Sequence, residues 1–345
     1  MKFGLIGLGY WGHNYLRLVS SWPGVDLVAV CDASPELVEV ARAAVPAALA
    51  TTDPDELLAH PDLDAVVIAT PASTHFRLAR NALLRNKHVL CEKPLTMAVD
   101  ECEELLEVAD TVSATLFVGH TFVYNAGVRA ARDFVLAEEM GSALYAHGTW
   151  NAPGPVRHDV NALWDLAPHP ISILSFVLRR QPTTVAATGQ EILSAAHEDV
   201  VSLHLAYGDD ASADIHLSWL APRKVRSLTI TGARRIALFD DLEPTDKLQI
   251  FDTASVTRNG AASGGPAKRK LQLPHEPLHV PVIELREPLA AQFDHFLECC
   301  RRGLTPESDG RAGTNVVRVL AAAEASLQRG GVPVDVDVAA PARAL

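Results

Sequence analysis

Three glycines near the start of the chain, spaced G-x-G-x-x-G, constrain its fold more than any other feature. Gly7, Gly9 and Gly12 follow the short apolar run Phe3 to Ile6. In a strand–turn–helix unit, the first glycine permits a tight turn, the second lets the backbone approach a pyrophosphate, and the third lets the helix pack closely. The pattern therefore predicts a dinucleotide site, with the phosphates bound by the free N–H groups of the helix.

A second apolar run indicates that the three glycines form a dinucleotide fingerprint and not simply a flexible turn. Residues 25–31 are mostly apolar and end at Asp32, twenty residues beyond Gly12. A carboxylate at this position hydrogen-bonds the adenosine ribose hydroxyls and repels a 2′-phosphate, and Ala33 and Ser34 supply no arginine to accommodate one. We therefore expect NAD to be preferred over NADP.

The overall charge and composition favour a small-molecule partner. The chain has 345 residues, 48% of them hydrophobic and 21% charged, with a formal charge of −12. This acidic balance argues against a nucleic-acid or membrane surface. No leader-like segment and no run of about 18 apolar residues is found, so we expect a cytoplasmic protein. The five cysteines lack CxxC spacing and the 14 histidines lack paired metal spacing, so no metal is expected.

The first 121 residues alternate between apolar runs and helical patterns, which predicts a doubly wound parallel sheet. Three polar segments follow predicted strands at the same edge: Thr70-Pro71, Glu92-Lys93-Pro94 and Gly119-His120-Thr121. Because ligands of such sheets bind beyond the carboxyl ends of the strands, these segments should surround one crevice.

From residue 122 to 345 we predict a second domain of α+β type with a mainly antiparallel sheet. Short segments alternate with period two, most clearly at 200–207. We expect one helix near residues 171–178, a surface loop at 259–265, and two final helices at about 287–301 and 314–328 that return to the first domain.

Local signals also predict where helices begin. Ser34 before Pro35 should cap a helix that extends to about residue 44, and Ser73 should cap another that extends to Leu84. Pro168 and Pro170 should delay the start of a later helix.

Together these motifs closely resemble those of the Gfo/Idh/MocA oxidoreductases. The residues that carry the resemblance are the glycine fingerprint, Asp32, Thr70-Pro71 with His75, Glu92-Lys93-Pro94, and the pair Asp165 and His169. The segments at 119–125 and 163–169 resemble the branch that oxidises nucleotide-linked or amino sugars at C3. The resemblance implies a nicotinamide-dependent dehydrogenase acting on a sugar or polyol hydroxyl, with a Rossmann domain and a C-terminal sheet that often builds homodimers or homotetramers.

Lys93 is a candidate catalytic residue because it follows a strand and is fixed by Pro94. Its ammonium could lie near the nicotinamide and a substrate oxygen, with Glu92 or burial tuning it. The alternative is a solvated lysine in a surface turn.

Asp165 and His169 form a second candidate pair. Oxidation of an alcohol needs a base for the hydroxyl proton, and a neutral histidine held by a carboxylate suits that task. If the residues between them are helical, both side chains lie on one face. Alternatively, Asp165 caps the helix and His169 only packs at its start. The residues around Asp165 and His169 differ from the common family sequence at these positions, which leaves the roles of the two residues open. Lys93 and His169 are therefore both candidate bases.

Arg157 could contact a substrate carboxylate or diphosphate, or form a surface salt bridge. Trp150 and Asn151 end a predicted strand and could line the sugar pocket, although ordinary sheet packing is the slightly favoured explanation for Trp150. The predicted substrate residues are Lys93, Tyr124, Asn151, Arg157 and His169. The predicted cofactor residues are Gly7, Gly9, Tyr10, Trp11, Gly12, Asp32, Thr70, Pro71, His75, Glu92, Lys93 and Thr121.

The sequence predicts an enzyme that transfers hydride between NAD and a ring hydroxyl or keto group, with a nucleotide-linked sugar at C3 as the favoured substrate. An inositol or polyol 2-dehydrogenase is the alternative within enzymes. A Rossmann protein that senses NAD or a sugar without turnover is the alternative from another class.

Overall fold

The chain folds into two units in the computed structural model, which describes residues 1–153, 156–157, 159–193, 197–253 and 276–337. The first unit comprises residues 1–121 and 289–318, and the second comprises residues 122–288 and 319–345. The surface loop predicted at 259–265 lies outside the described residues. Among the helices of these ranges, none combines the length and apolar character needed to cross a membrane.

A six-stranded, fully parallel sheet forms the centre of the first unit, in the order β3-β2-β1-β4-β5-β6. This confirms the predicted doubly wound fold, although the short strand β3 was not predicted. The order reverses between β1 and β4, which is the switch point where such sheets bind ligands. The strands are β1 Lys2–Ile6, β2 Asp26–Cys31, β3 Leu49–Thr51, β4 Ala65–Ile68, β5 His88–Glu92 and β6 Leu116–Gly119.

The second unit contains an eight-stranded sheet in the order β13-β12-β11-β7-β10-β9-β8-β14. All its pairs are antiparallel except β10 with β7, in agreement with the predicted mainly antiparallel sheet. The strands are β7 Ala143–Asn151, β8 Thr184–Gln190, β9 Val200–Ala206, β10 Ser212–Ser218, β11 Val225–Gly232, β12 Arg235–Asp240, β13 Leu248–Asp252 and β14 Val334–Asp335.

Ten α-helices accompany the two sheets in the described residues. They are α1 Tyr10–Ser20, α2 Pro35–Ala44, α3 Pro54–Leu58, α4 His75–Leu84, α5 Val99–Val112, α6 Ala126–Leu136, α7 Ala162–Leu166, α8 Pro168–Leu178, α9 Pro288–Arg302 and α10 Gly310–Gln328.

One helix cap follows its sequence prediction and one does not. The Ser34 side chain accepts a hydrogen bond from the Leu37 N–H, and Pro35 opens α2, as predicted. The expected cap at Ser73 is wrong, because a 3₁₀ turn at Ala72–Thr74 precedes α4. The Thr74 hydroxyl stabilises this turn through bonds with Thr70 Oγ1 and the Pro71 carbonyl.

The expected delay of a helix by two prolines is also wrong, because α8 begins at Pro168 and contains Pro170 in its first turn. Backbone N–H groups in a first helical turn have no intrahelical acceptor, so a proline there removes no helical bond.

Helix α9 packs against the sheet of the first unit. The centroids of its Phe293 and Phe296 rings lie 5.4 and 6.0 Å from that of Phe3 on β1.

The second sheet buries one face and exposes the other. Along β9, Val201, Leu203 and Leu205 are buried, whereas Ser202 and His204 between them are exposed. The period-two pattern noticed in the sequence is therefore the alternation of a half-buried strand. Helices α6, α7 and α8 contact this sheet.

Candidate functional site

Each glycine of the fingerprint has a distinct geometric role at the β1–α1 turn. Gly7 has φ +95°, and a Cβ there would lie 2.6 Å from the Ala69 carbonyl. A Cβ on Gly12 would lie 1.9 Å from the Gly7 oxygen, so α1 can approach the turn only with glycine at this position. A Cβ on Gly9 would meet nothing within 4 Å. Gly7 and Gly12 shape the turn, while Gly9 leaves open space before the start of α1.

Tyr10 and Trp11 form the first residues of α1 directly after this turn. Their side chains are 84% and 38% exposed, and their rings pack edge to face with centroids 6.2 Å apart. Their position at a helix N-terminus leaves backbone N–H groups available to an anion.

Asp32 lies at the end of β2 with both carboxylate oxygens fixed by backbone donors. The Leu8 N–H donates to Oδ2 at 2.6 Å and the Ser34 N–H donates to Oδ1 at 2.9 Å. Each oxygen retains acceptor capacity for a further donor. The carboxylate is thus held beside the glycine turn and can accept further hydrogen bonds.

His75 ties two strand exits together inside the first unit. It is 1% exposed, with Nδ1 2.8 Å from the Pro94 carbonyl and Nε2 2.9 Å from the Thr70 carbonyl. Its ring therefore joins the Thr70-Pro71 segment to the turn that contains Glu92, Lys93 and Pro94. This arrangement supports a positioning role rather than surface contact with a ligand.

Glu92 is buried at the end of β5 in a polar network. The Tyr15 hydroxyl donates to Glu92 Oε1 at 2.7 Å, and the Gln292 amide donates to the Tyr15 oxygen at 2.9 Å. The Lys93 N–H donates to Glu92 Oε2 at 3.1 Å. Burial raises the pKa of Glu92, and it raises that of Tyr15 well above its usual value. The network fixes the backbone from which the half-buried Lys93 side chain projects.

His120 and Thr121 follow β6, the neighbouring strand, where Gly119 is paired with Glu92. His120 is 2% exposed. The Thr121 hydroxyl donates a hydrogen bond of 3.5 Å to the Gly119 carbonyl. Burial, and after it the charge of Lys93, lower the pKa of His120 to about 3. The imidazole beside Lys93 is therefore neutral at ordinary pH.

In the second unit, Asp165 lies on α7 and His169 on α8. The single residue between these helices, Ala167, is itself helical at φ −64° and ψ −29°. The backbone condition for placing the two side chains one turn apart on the same face is thus met. Ala167 precedes α8 without a side-chain cap, so the alternative in which Asp165 caps that helix is wrong.

The Asp165 carboxylate receives a different donor at each oxygen. Trp219 Nε1 donates to Oδ2 at 3.1 Å, and Arg157 Nη1 donates to Oδ1 at 3.4 Å. Arg157 also binds both oxygens of Asp159, at 2.9 and 2.6 Å. Arg157 thereby joins two carboxylates, and hydrogen bonding to Asp159 raises its pKa.

The rings of Phe122, Trp150 and His169 form an aromatic cluster in the second unit. The Phe122 ring packs edge to face 5.0 Å from the His169 ring and 5.2 Å from the Trp150 ring. Trp150 is 1% exposed, so it packs the sheet rather than facing solvent. Tyr124 is also buried, with the Arg129 guanidinium 5.2 Å from its ring centre. Asn151, the last residue of β7, is half-buried.

Sequence reasoning missed Trp219 and the pair Tyr15 and Gln292. Trp219 is the first residue after β10, so its position at a strand end is the one sequence signal that could have indicated it. Its hydrogen-bond partner Asp165 is 54 residues away in the sequence. Gln292 is 277 residues from Tyr15 and shows no local pattern. Within the described ranges, no three His, Cys, Asp or Glu side chains are arranged to hold a metal ion.

Two family models match this chain. Residues 1–120 match the model described as the oxidoreductase family with an NAD-binding Rossmann fold, GFO_IDH_MocA. Residues 128–237 match the GFO/IDH/MocA C-terminal domain. The two matches together cover two thirds of the chain.

Named relatives span nearly its whole length at low identity. It is 28% identical to UDP-N-acetylglucosamine 3-dehydrogenase of Acidithiobacillus ferrooxidans, covering 95% of this chain and 99% of that one. It is 25% identical to scyllo-inositol 2-dehydrogenase (NAD(+)) of Bacillus subtilis, covering 98% and 97%. The WlbA dehydrogenase of Bordetella pertussis, solved with NADH and UDP-GlcNAcA, shares the fold with TM-score 0.79, 20% identity and coverage of 98% and 99%.

Proposed function

Because the chain belongs to the Gfo/Idh/MocA oxidoreductase family, we propose that it transfers hydride between NAD and a ring carbon of a nucleotide-linked sugar, at C3. The single observation that carries the proposal is the Glu92-Lys93-Pro94 turn. Its backbone is locked by the buried Tyr15–Glu92 hydrogen bond at the carboxyl edge of an NAD-binding Rossmann sheet. The roles of the remaining candidate residues are proposed below, each from the position of that residue in its own unit.

The first unit fits NAD. Gly9 leaves the space that a pyrophosphate needs, and a β-carbon there would fill it. The start of α1 offers backbone N–H donors, with Tyr10 and Trp11 beside them. The Asp32 carboxylate suits a ribose with a free 2′-hydroxyl. NAD⁺, when bound, supplies the hydride acceptor.

Oxidation of a CH–OH group releases a hydride from carbon and a proton from oxygen. We assign the proton to the His169 imidazole, with Asp165 one helical turn before it. Trp219 and Arg157 each donate a hydrogen bond to the Asp165 carboxylate, which fixes its orientation. The Lys93 ammonium stabilises negative charge on the sugar oxygen as the proton leaves. In the competing assignment, Lys93 Nζ itself accepts the proton.

The substrate class rests on Arg157 and on the relatives. Arg157 uses three of the five N–H donors of its guanidinium on Asp159 and Asp165, and the remaining donors are assigned to oxygens of the substrate diphosphate. Asn151, the last residue of β7, and Tyr124 are assigned to the sugar, and Thr121, two residues beyond β6, is assigned to the cofactor. Among the relatives, the UDP-N-acetylglucosamine 3-dehydrogenase at 28% identity supports a nucleotide sugar, and the scyllo-inositol 2-dehydrogenase at 25% identity keeps inositol as the alternative.

The experiment incubates the purified chain with NAD⁺ and a panel of UDP-hexoses, UDP-hexosamines, free sugars and inositols, and follows NADH absorbance. We expect turnover with at least one UDP-sugar. Lys93→Met and His169→Asn should each lower kcat about 10²-fold or more while NAD⁺ affinity stays within about twofold. His204→Asn is the control, since His204 pairs with Asp214 and lies on the exposed face of the sheet.

Turnover with inositols alone would assign the 2-dehydrogenase activity instead. NAD⁺ binding without turnover on the whole panel would favour a sensor. We further propose that the protein is cytoplasmic and forms a homodimer or homotetramer, and sedimentation of the purified chain tests the oligomeric state.

A further inference from the structure

His120 is a buried imidazole whose ring makes no hydrogen bond with the described residues. It is 2% exposed, and within the described residues neither of its ring nitrogens has a hydrogen-bond partner. Buried polar atoms are hydrogen-bonded in the great majority of cases, so an unpartnered one needs an explanation. A phenylalanine of similar size would fill the same space without leaving polar atoms unsatisfied.

His120 lies on the side of the sheet toward which the nicotinamide half of a bound dinucleotide would extend. It follows β6, next to the exit of β5, because Gly119 and Glu92 are register partners. The strand order places the glycine turn after β1 in the middle, Asp32 after β2 on one side, and Lys93 and His120 on the other. A dinucleotide with its adenosine at Asp32 and its pyrophosphate at Gly9 therefore extends its nicotinamide toward the exits of β4, β5 and β6.

The chemistry of the ring matches one group of that half. The ring is neutral beside Lys93, so it offers one N–H donor and one acceptor nitrogen. The two ring nitrogens point in different directions, so one of them meets the carboxamide, and that bond runs from the carboxamide NH₂ to the acceptor nitrogen of the ring. Because the ring is enclosed, a contact with the carboxamide requires the side chains that cover it to shift when the ligand binds.

We propose that His120 is a cofactor-contacting residue that hydrogen-bonds the carboxamide of the nicotinamide. The inference rests on the proposed NAD-dependent function and adds a residue to it. It accounts for a polar side chain at a position where an apolar one would serve the fold better.

Calorimetric binding of NAD⁺ and of ADP-ribose to the full chain tests the proposal without turnover. ADP-ribose keeps the Asp32 and glycine-turn contacts and lacks the nicotinamide. In His120→Phe we expect the ratio of the NAD⁺ Kd to the ADP-ribose Kd to rise about tenfold, with ADP-ribose affinity unchanged. The ligand-free variant should melt at or above the wild-type temperature. His88→Phe, at the amino end of β5, is the control and should leave the ratio unchanged.

An unchanged ratio in His120→Phe, or equal weakening of both nucleotides, would overturn the role of His120. A wild-type chain that binds neither nucleotide would instead overturn the proposed function. If His120→Phe does not fold, the 3-acetylpyridine analogue of NAD⁺ decides on wild-type protein. It lacks the amide NH₂ and should bind about tenfold more weakly than NAD⁺, whereas equal binding would contradict the contact.

Discussion

The Tyr15 hydroxyl donates a 2.7 Å hydrogen bond to Glu92 Oε1 inside the first unit, and so joins α1 to the turn that carries Lys93. Gln292 on α9 donates to the same hydroxyl oxygen, which adds a third element to the network. Gly119 leaves space for the carboxyl group, since a Cβ there would lie 2.8 Å from Glu92 Oε1. The position of Lys93 thus depends on groups far from it in sequence.

Tyr15→Phe removes one donor and leaves Glu92 and Gln292 short of a partner. We expect a loss of about 1–3 kcal/mol in the free energy of unfolding, measured by urea denaturation. Tyr10→Phe on the same helix is the control and should change stability little, because Tyr10 is 84% exposed. Equal stability of wild type and Tyr15→Phe would contradict the importance of this bond.

Glu92 should make stability depend on pH. Its pKa is raised above the usual 4.5 in the folded chain, mainly by burial. The folded state therefore keeps a proton that the unfolded chain has released, so the contribution of Glu92 is lost as pH rises from about 4.5 through the raised pKa. The unfolding free energy of wild type relative to Glu92→Gln should fall across that interval. A difference that rises with pH, in denaturation series at several pH values, would contradict this assignment.

Gly9→Ala and Gly12→Ala should separate binding from folding. A methyl group on Gly9 meets open space, so the variant should melt within about 2 °C of wild type but bind NAD⁺ at least tenfold more weakly. A methyl group on Gly12 would lie 1.9 Å from the Gly7 oxygen and should destabilise the fold by about 3 kcal/mol or more. Melting curves and calorimetry distinguish the two. Similar effects of both changes would contradict the separate roles of the glycines.

Asp32→Asn should weaken the preference for NAD. The amide no longer repels a 2′-phosphate, so the ratio of kcat/KM for NADP⁺ to that for NAD⁺ should rise about tenfold. Asp26→Asn, at the exposed start of β2, is the control. A wild-type chain that already prefers NADP⁺ in paired kinetics would contradict the role of Asp32.

Trp219→Phe should lower turnover by releasing one oxygen of Asp165 while keeping an aromatic ring in place. We expect kcat to fall about tenfold with NAD⁺ affinity unchanged. Trp164→Phe is the matched control, because its indole also donates to a carboxylate, that of Glu324. If both variants lose turnover equally, the effect is structural and Trp219 does not position Asp165.

Local sequence signals predicted the two sheets and the strand ends that carry Gly9 and Asp32, but not the hydrogen bonds that Asp165 and Tyr15 make. The glycine fingerprint, Asp32 and the Ser34 cap are read within a few residues, and their chemistry depends on local backbone geometry. The start of α8 at Pro168 shows the limit of such rules, since proline is unfavourable inside a helix yet suited to its first turn. Trp219 and Gln292 could not be predicted, because only the tertiary fold brings them to Asp165 and Tyr15.

The most direct test of hydride transfer uses UDP-N-acetylglucosamine deuterated at C3, mixed with the purified chain and NAD⁺. Mass spectrometry of the reduced cofactor then reports where its hydrogen came from. We predict one deuterium in the nicotinamide ring of the product and a 3-keto sugar beside it. Reduced cofactor without deuterium, or no reduction while bound NAD⁺ is demonstrated, would contradict the proposed reaction.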